Sequence, residues 1–240
     1  MKISAYLQIT TLSFLISTNM MAGQGDTTRV DLSVGADVVS HYIWRGLMLS
    51  NSPSIQPSMS VSYYGFSFGS WASYSLSPAE FQEVDLFLTY SAGSFTFGIN
   101  DYYNPVDLPG EEDSYFNFRS STTGHTLEPF VTWSEIAGTP LSATAAVFAY
   151  GNDRNEEGHN QYSSYFELAY STGVGDYGLD FFAGATFNRG YYSDNIALVN
   201  LGASISRDIR VTEGFSVPCK GSLIVNPDTQ NIYFVIGFTL

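Results

Sequence analysis

The sequence predicts an all-β protein, a transmembrane antiparallel up-and-down β-barrel of about twelve strands. Three observations predict it. Apolar residues recur at every second position through most of the chain. Only 13% of residues are charged, while 16% are aromatic. The connections between the alternating segments are short and long in turn. A soluble domain would carry roughly twice that charge, about 25%. A helical membrane protein would need apolar runs of about 20 residues. Mean hydropathy near zero with so little charge fits strands that are apolar on one face only.

The chain opens on an export signal. Lys2 supplies a positive start, residues 3–16 are mostly apolar, and Ala22-Gly23 offers small residues for cleavage. Residues 1–23 therefore read as a signal peptide and 24–240 as an outer-membrane β-barrel. Period-two segments follow in order. Val30, Leu32, Val34, Ala36 and Val38 alternate with Asp31, Ser33, Gly35 and Asp37. Ile55, Pro57, Met59, Val61 and Tyr63 return after a long connection, then turn at Tyr64-Gly65 into Phe66, Phe68, Ala72, Tyr74 and Leu76. Further strands are expected near 83–90, 95–100, 127–133, 141–149, 162–170, 179–187, 196–205, 215–225 and 231–240. Strands of about 9–12 residues suffice to cross a bilayer when tilted.

The short connections are Tyr64-Gly65, 91–94 and 173–178; the long ones are 41–54, 104–124 and 151–161. Short periplasmic turns and long extracellular loops produce this alternation. Tyr42, Trp44, Tyr102, Tyr103, Tyr150, Tyr162, Tyr191 and Tyr192 lie near the long loops. Tyr63, Tyr64, Phe66, Phe95, Trp133 and Tyr177 lie near the short turns. They are expected to form two interfacial girdles. The closing strand, with Ile232, Phe234, Ile236, Phe238 and Leu240, has the form read by barrel-assembly machinery, although it ends in Leu rather than Phe.

The segment Ser40-His41-Tyr42-Ile43-Trp44-Arg45-Gly46, followed by Ser50, Pro53 and Gln56, resembles the start of a porin family known as TorF-like or Gcw_chp proteins. Members carry a Ser-x-Tyr-x-Trp-Arg-Gly element just after the first strand, matched here by Tyr42, Trp44, Arg45 and Gly46. Glu83-x-Asp85, Asp101 with Tyr102-Tyr103, and Glu128 are partial echoes. The resemblance implies a barrel in the bacterial outer membrane with a porin role. It carries over no substrate and no catalytic residue.

With the apolar row against lipid, the polar row lines the lumen. The pore-lining candidates are Asp31, Asp37, Glu83, Asp85, Asn100, Glu128, Glu167 and Asp180, with Arg45 at the rim. By the same parity no Lys or Arg is expected within a strand interior. Unpaired carboxylates cost several kcal/mol each in a dry core, so water is expected to fill the lumen and favour cations. Arg45 reads as a salt bridge anchoring the first loop, or else as a group narrowing the pore; Trp44 reads as a girdle residue. An acidic net charge of −14 argues against nucleic acid, and the single Cys219 excludes an internal disulfide.

No enzyme is expected. The three histidines, His41, His125 and His159, fall in or beside loops, and no Gly-x-Ser-x-Gly elbow occurs. Glu111-Glu112-Asp113 and Asp153 with Glu156-Glu157 read as solvated loop charge rather than metal sites. No cofactor is implied. The expected partners are outer-membrane lipid, the assembly machinery and small solutes. The expected function is passive diffusion of small polar or cationic solutes through an acidic lumen. The alternatives are a plugged, non-conducting structural or adhesion barrel, with residues 104–124 folded inward, and a soluble periplasmic ligand-binding barrel.

Overall fold

The computed structural model describes residues 29–77, 82–105 and 114–240. The signal peptide expected over residues 1–23 and the Glu111-Glu112-Asp113 run lie outside the described residues. The strands are β1 (Asp31–Val39), β2 (Tyr42–Trp44), β3 (Leu47–Ser50), β4 (Ser54–Tyr63), β5 (Phe66–Ser75), β6 (Gln82–Ala92), β7 (Phe95–Tyr103) and β8 (His125–Trp133). They continue as β9 (Leu141–Val147), β10 (Tyr150–Gly151), β11 (Ser164–Val174), β12 (Tyr177–Thr186), β13 (Ala197–Thr212), β14 (Phe215–Asn226) and β15 (Asn231–Thr239). The only helical element among the described residues is a single 3-10 turn at Ile136–Gly138.

Twelve strands close an antiparallel barrel in the order β1-β4-β5-β6-β7-β8-β9-β11-β12-β13-β14-β15, with β15 returning to β1. They are the twelve that the period-two pattern predicts. Closure removes the sheet edge except where strands run past the seam, so most wall backbone groups find partners within the ladder. The short β10 extends the line of β9 and pairs with β8. The closing seam is short: Asp37, Val38 and Val39 pair with Thr239, Phe238 and Gly237, and Ala36 exchanges backbone bonds with Leu240. The first residues of β1 run past this seam and pair with β4 alone.

The two faces separate as the alternation requires. Leu32, Val34, Met59, Phe68, Leu88, Phe97, Leu201 and Phe234 point outward and are exposed, Val34 to 86%. Gln56, Ser67, Phe87, Thr89, Thr144, Phe182 and Ser222, on the opposite parity of their strands, are buried inside. Inward aromatic rings lie flat over glycines of neighbouring strands. A Cβ on Gly69 would stand 2.5 Å from the Phe87 ring, one on Gly98 2.4 Å from Phe130, and one on Gly202 2.4 Å from Phe182. A ring that covers a glycine shields its backbone and packs along the wall rather than across the lumen.

Tyr64 and Gly65 take φ of 49° and 82° between the paired Tyr63 and Phe66. Both central residues are left-handed, as a two-residue hairpin needs to match strand twist. Around this end Tyr63, Tyr64, Phe66, Phe95, Trp133 and Tyr177 are exposed, and Phe95 stacks on Trp133 with ring centroids 5.8 Å apart. The aromatics expected at the short turns thus gather at that end on the exposed surface. At the long-loop end the expectation is half wrong. Tyr162 and Tyr191 are exposed, but Tyr42, Trp44, Tyr102 and Tyr192 are buried within the barrel. The cause is the 41–54 segment: rather than standing above the barrel as a loop, it enters as the β2–β3 hairpin.

Gly202→Val would drive its side chain into the Phe182 ring and the Leu223 carbonyl, 2.6 Å away. It is expected to destabilise the barrel by about 1–3 kcal/mol in urea titration of refolded protein. Ala203→Val, on the outer face, should cost far less; equal losses would refute the flat-ring packing.

Candidate functional site

The hairpin is built from the residues that stood out as a motif. Tyr42 pairs with Ser50, Ile43 with Met48 and Trp44 with Leu47, leaving Arg45-Gly46 as a two-residue turn. Their φ values, 49° and 79°, are those of a type I′ turn. Gly46 is required twice over. Its φ disfavours a side chain, and a Cβ there would lie 1.9 Å from the Val199 carbonyl oxygen. Asn226 Nδ2 on β14 donates to the Gly46 carbonyl at 3.1 Å. The tip therefore rests on β13 and β14, while the side chains of Tyr42 and Arg45 reach β6 and β8 on the opposite wall.

Arg45 grips Glu128 with two parallel bonds, Nη1 to Oε1 at 2.5 Å and Nη2 to Oε2 at 3.0 Å. It also donates to the Tyr192 hydroxyl. Its guanidinium carbon lies 4.6 Å from the Trp44 ring centroid and 4.3 Å from that of Tyr165. Glu128 is 0% exposed and takes further bonds from Tyr102 Oη at 2.6 Å and Asn100 Nδ2 at 3.4 Å. Such pairing offsets part of the several kcal/mol that each buried charge costs. Two neighbouring carboxylates have neutral donors instead. Tyr42 Oη donates to Glu83 at 2.6 Å; Tyr165 Oη and Asn200 Nδ2 donate to Glu167 at 2.5 and 3.0 Å.

Aromatic rings complete the plug. Trp44 meets Tyr102, Phe148, Tyr191 and Tyr192 at centroid distances of 5.5, 6.1, 5.9 and 5.5 Å. Tyr191 and Tyr192 belong to the connection between β12 and β13. Tyr191 as a whole is 44% exposed, but desolvation of its phenol, with Glu83 and Asp153 adding to it, pushes that group up to about 12. It remains neutral at ordinary pH and adds no charge to the packing.

The expected lumen residues divide as follows. Glu83, Asp85, Asn100, Glu128, Glu167 and Asp180 all face inward and are buried, Asp37 is half-buried, and Asp31 is exposed beyond the seam. Arg45 is not a rim residue; it lies inside the barrel, and Trp44 is not a girdle residue but the centre of the plug. The expectation that strands carry no inward cation is also wrong. Lys220 on β14 shares the inward parity of Ser222, and its Nζ stands 3.3 Å from Asp180 Oδ2. Nor do the described residues of the 104–124 connection fold into the lumen. Tyr115 and Phe118 cover His125 on the outer row, whose Nδ1 meets Asp101 at 2.8 Å and whose Nε2 meets the Tyr115 carbonyl at 2.6 Å.

Sequence reasoning missed Trp71, Tyr165, Asn200, Asn226 and Lys220. All follow from extending period two consistently along β5, β11, β13 and β14; Tyr192, in a connection, has no periodic signal. No group of three or more His, Cys, Asp or Glu with a metal-site arrangement occurs among the described residues.

Arg45→Met leaves Glu128 buried without its cation and is expected to cost about 3–5 kcal/mol of unfolding free energy. Adding Glu128→Gln should recover part of that loss. Urea titrations of both singles and the double complete the cycle; strictly additive losses would mean the pair is not coupled.

A model of the bacterial protein family of unknown function Gcw_chp matches residues 23–217. The matched description names neither a porin nor a TorF-like protein. No curated protein matches the chain. The match spans well over half of the sequence, and the chain belongs to the Gcw_chp family.

Proposed function

We propose that this Gcw_chp family member is an exported outer-membrane channel of porin type, passing small polar or cationic solutes, and that the β2–β3 hairpin holds it closed at rest. The signal-like N-terminus and the alternation of lipid-compatible and polar rows support the membrane assignment. The observation that carries the channel reading is the division of the lumen into two zones. Toward the long-loop end it is filled by Trp44, Arg45 and the rings around them. Toward the short-turn end the inner wall is lined by small hydroxyl residues.

Those hydroxyls pair along the wall: Ser62 with Ser67 at 2.7 Å, Ser91 with Thr96 at 2.9 Å, Thr132 with Thr144 at 2.9 Å. Inward rings such as Phe87 and Phe130 lie over Gly69 and Gly98. Small side chains and flattened rings leave width for water and solute, which a barrel serving only as a wall does not need. The plug changes the expected behaviour from passive diffusion to gating. Every contact that seats Trp44 and Arg45 must break, or the hairpin must shift as a unit, before solute crosses.

A second reading is favoured by one observation, the complete burial of Glu128 under Arg45. A hairpin held that firmly suits a non-conducting barrel whose extracellular loops engage partners. The two readings part in planar bilayers. The channel reading expects rare openings from the native protein. It expects steady, cation-selective current when residues 42–50 are replaced by a short Gly-Ser linker. No current from the linker variant, in a folded, heat-modifiable barrel, would leave only the structural reading.

The membrane assignment has its own check. Leu88 is exposed on the outer face of β6. Leu88→Arg is expected to destabilise the barrel in lipid vesicles by about 2–4 kcal/mol, the cost of arginine near the bilayer midplane. A monodisperse protein without detergent, indifferent to this change, would sink the assignment.

A further inference from the structure

Glu83 and Asp85 are neighbours on the inner face of β6, two residues and about 7 Å apart along the strand. Asp85 is 1% exposed, and the charged groups around it, Glu83, Asp101 and Glu128, are all acidic. No ion pair among the described residues involves either carboxylate. Among the described residues, the two cations inside the barrel are committed elsewhere: Arg45 to Glu128 and Lys220 to Asp180. Two buried negative charges are thus left without a positive partner, a costly arrangement in a low-dielectric interior.

Independent of the charges, buried oxygens on this stretch of wall lack donors. Asp85 Oδ1, Gln56 Oε1 and Asn104 Oδ1 are buried and accept no hydrogen bond. They belong to one patch of wall. Gln56 donates to Ser73 at 3.3 Å, Ser73 is the cross-strand partner of Glu83, and Asn104 donates to Glu83 at 3.4 Å. Gln56 is as deeply buried as Asp85. A carboxylate oxygen and amide oxygens without donors are what a hard cation takes as ligands, and the charges of two carboxylates balance a divalent cation.

We propose that Glu83 and Asp85, with the amide oxygens of Gln56 and Asn104, form a binding site for one hard divalent cation of the calcium class. The site rests on the geometry of the lumen wall and not on conduction. Tyr42 links it to the hairpin, because its hydroxyl donates to Glu83 Oε2. A bound cation draws on the same carboxylate that holds the start of the plug.

The test uses terbium as the probe. Trp71 is the cross-strand partner of Asp85, and the Tyr42 ring lies 5.5 Å from it. Both donors are placed to sensitise a lanthanide at the site. The folded protein is expected to give saturable terbium emission that calcium displaces. Asp85→Asn and Glu83→Gln should each reduce affinity at least tenfold, while Glu156→Gln with Glu157→Gln, on the outer loop, should leave it unchanged. Thermal unfolding is the second readout. Calcium should raise Tm of the native protein but not of Asp85→Asn, and in chelator Asp85→Asn should melt no lower than native. Emission unaffected by Asp85→Asn, or stability indifferent to calcium and dependent on pH alone, would overturn the site. Neither result bears on the bilayer currents of the hairpin variant.

Discussion

The pairing of Arg45 with Glu128 is the constraint on which the interior depends. A guanidinium can be taken out of water only if a carboxylate waits for it, and Glu128 waits on β8, across the lumen from the strands the hairpin tip touches. The bond fixes how deep the hairpin goes. Depth in turn places Trp44 among Tyr102, Phe148, Tyr191 and Tyr192, and brings Tyr42 to Glu83. Gly46 permits the approach, since any side chain would collide with the Val199 carbonyl. Tyr42, Trp44, Arg45 and Gly46 thus act as one device: an anchor, a plug, a charge and a tight turn.

The wall answers that device with glycines. Gly184 lies under the Tyr165 ring, with a Cβ there meeting the hydroxyl at 2.1 Å. Tyr165 in turn donates to Glu167 and faces Arg45. A larger residue at 184 would lift the ring and disturb both contacts. Wall and plug are therefore coupled through side chains that each touch both. The same flattening of rings onto glycines elsewhere keeps the opposite end of the lumen from filling.

The outer half of this structure was legible in the sequence, because the outward row keeps a strict period of two. Leu32, Val34 and Phe234 are apolar, and their alternation revealed twelve strands and closure. The inner half was less legible. An inward row is free to hold serine, tyrosine, carboxylate or lysine, so its composition does not say whether water or protein fills the space. The three and four residues of β2 and β3 are too short to show a period. Their signal was local: Arg45-Gly46 between apolar neighbours is a two-residue turn with glycine in its second central position, the mark of a tight hairpin. Read that way, residues 41–54 cease to be a loop. Nothing in the sequence states that the hairpin points inward; that follows only once Glu128 is found opposite Arg45.

Charge balance ties these parts together. Inside the barrel Asp37, Glu83, Asp85, Glu128, Glu167 and Asp180 face two cations, Arg45 and Lys220. A dry interior would reject this imbalance, and a fully aqueous one would have no use for so many oriented phenol and amide donors. The arrangement lies between: carboxylates near the plug are satisfied by Tyr102, Tyr165, Asn100 and Asn200, which supply bonds without charge. Neutral donors hold a carboxylate less firmly than an ion pair does. In the proposed channel, withdrawing the hairpin would strip Glu128 of its cation but leave those neutral bonds to the wall in place. The negative lumen so exposed would attract cations into the space the plug had held.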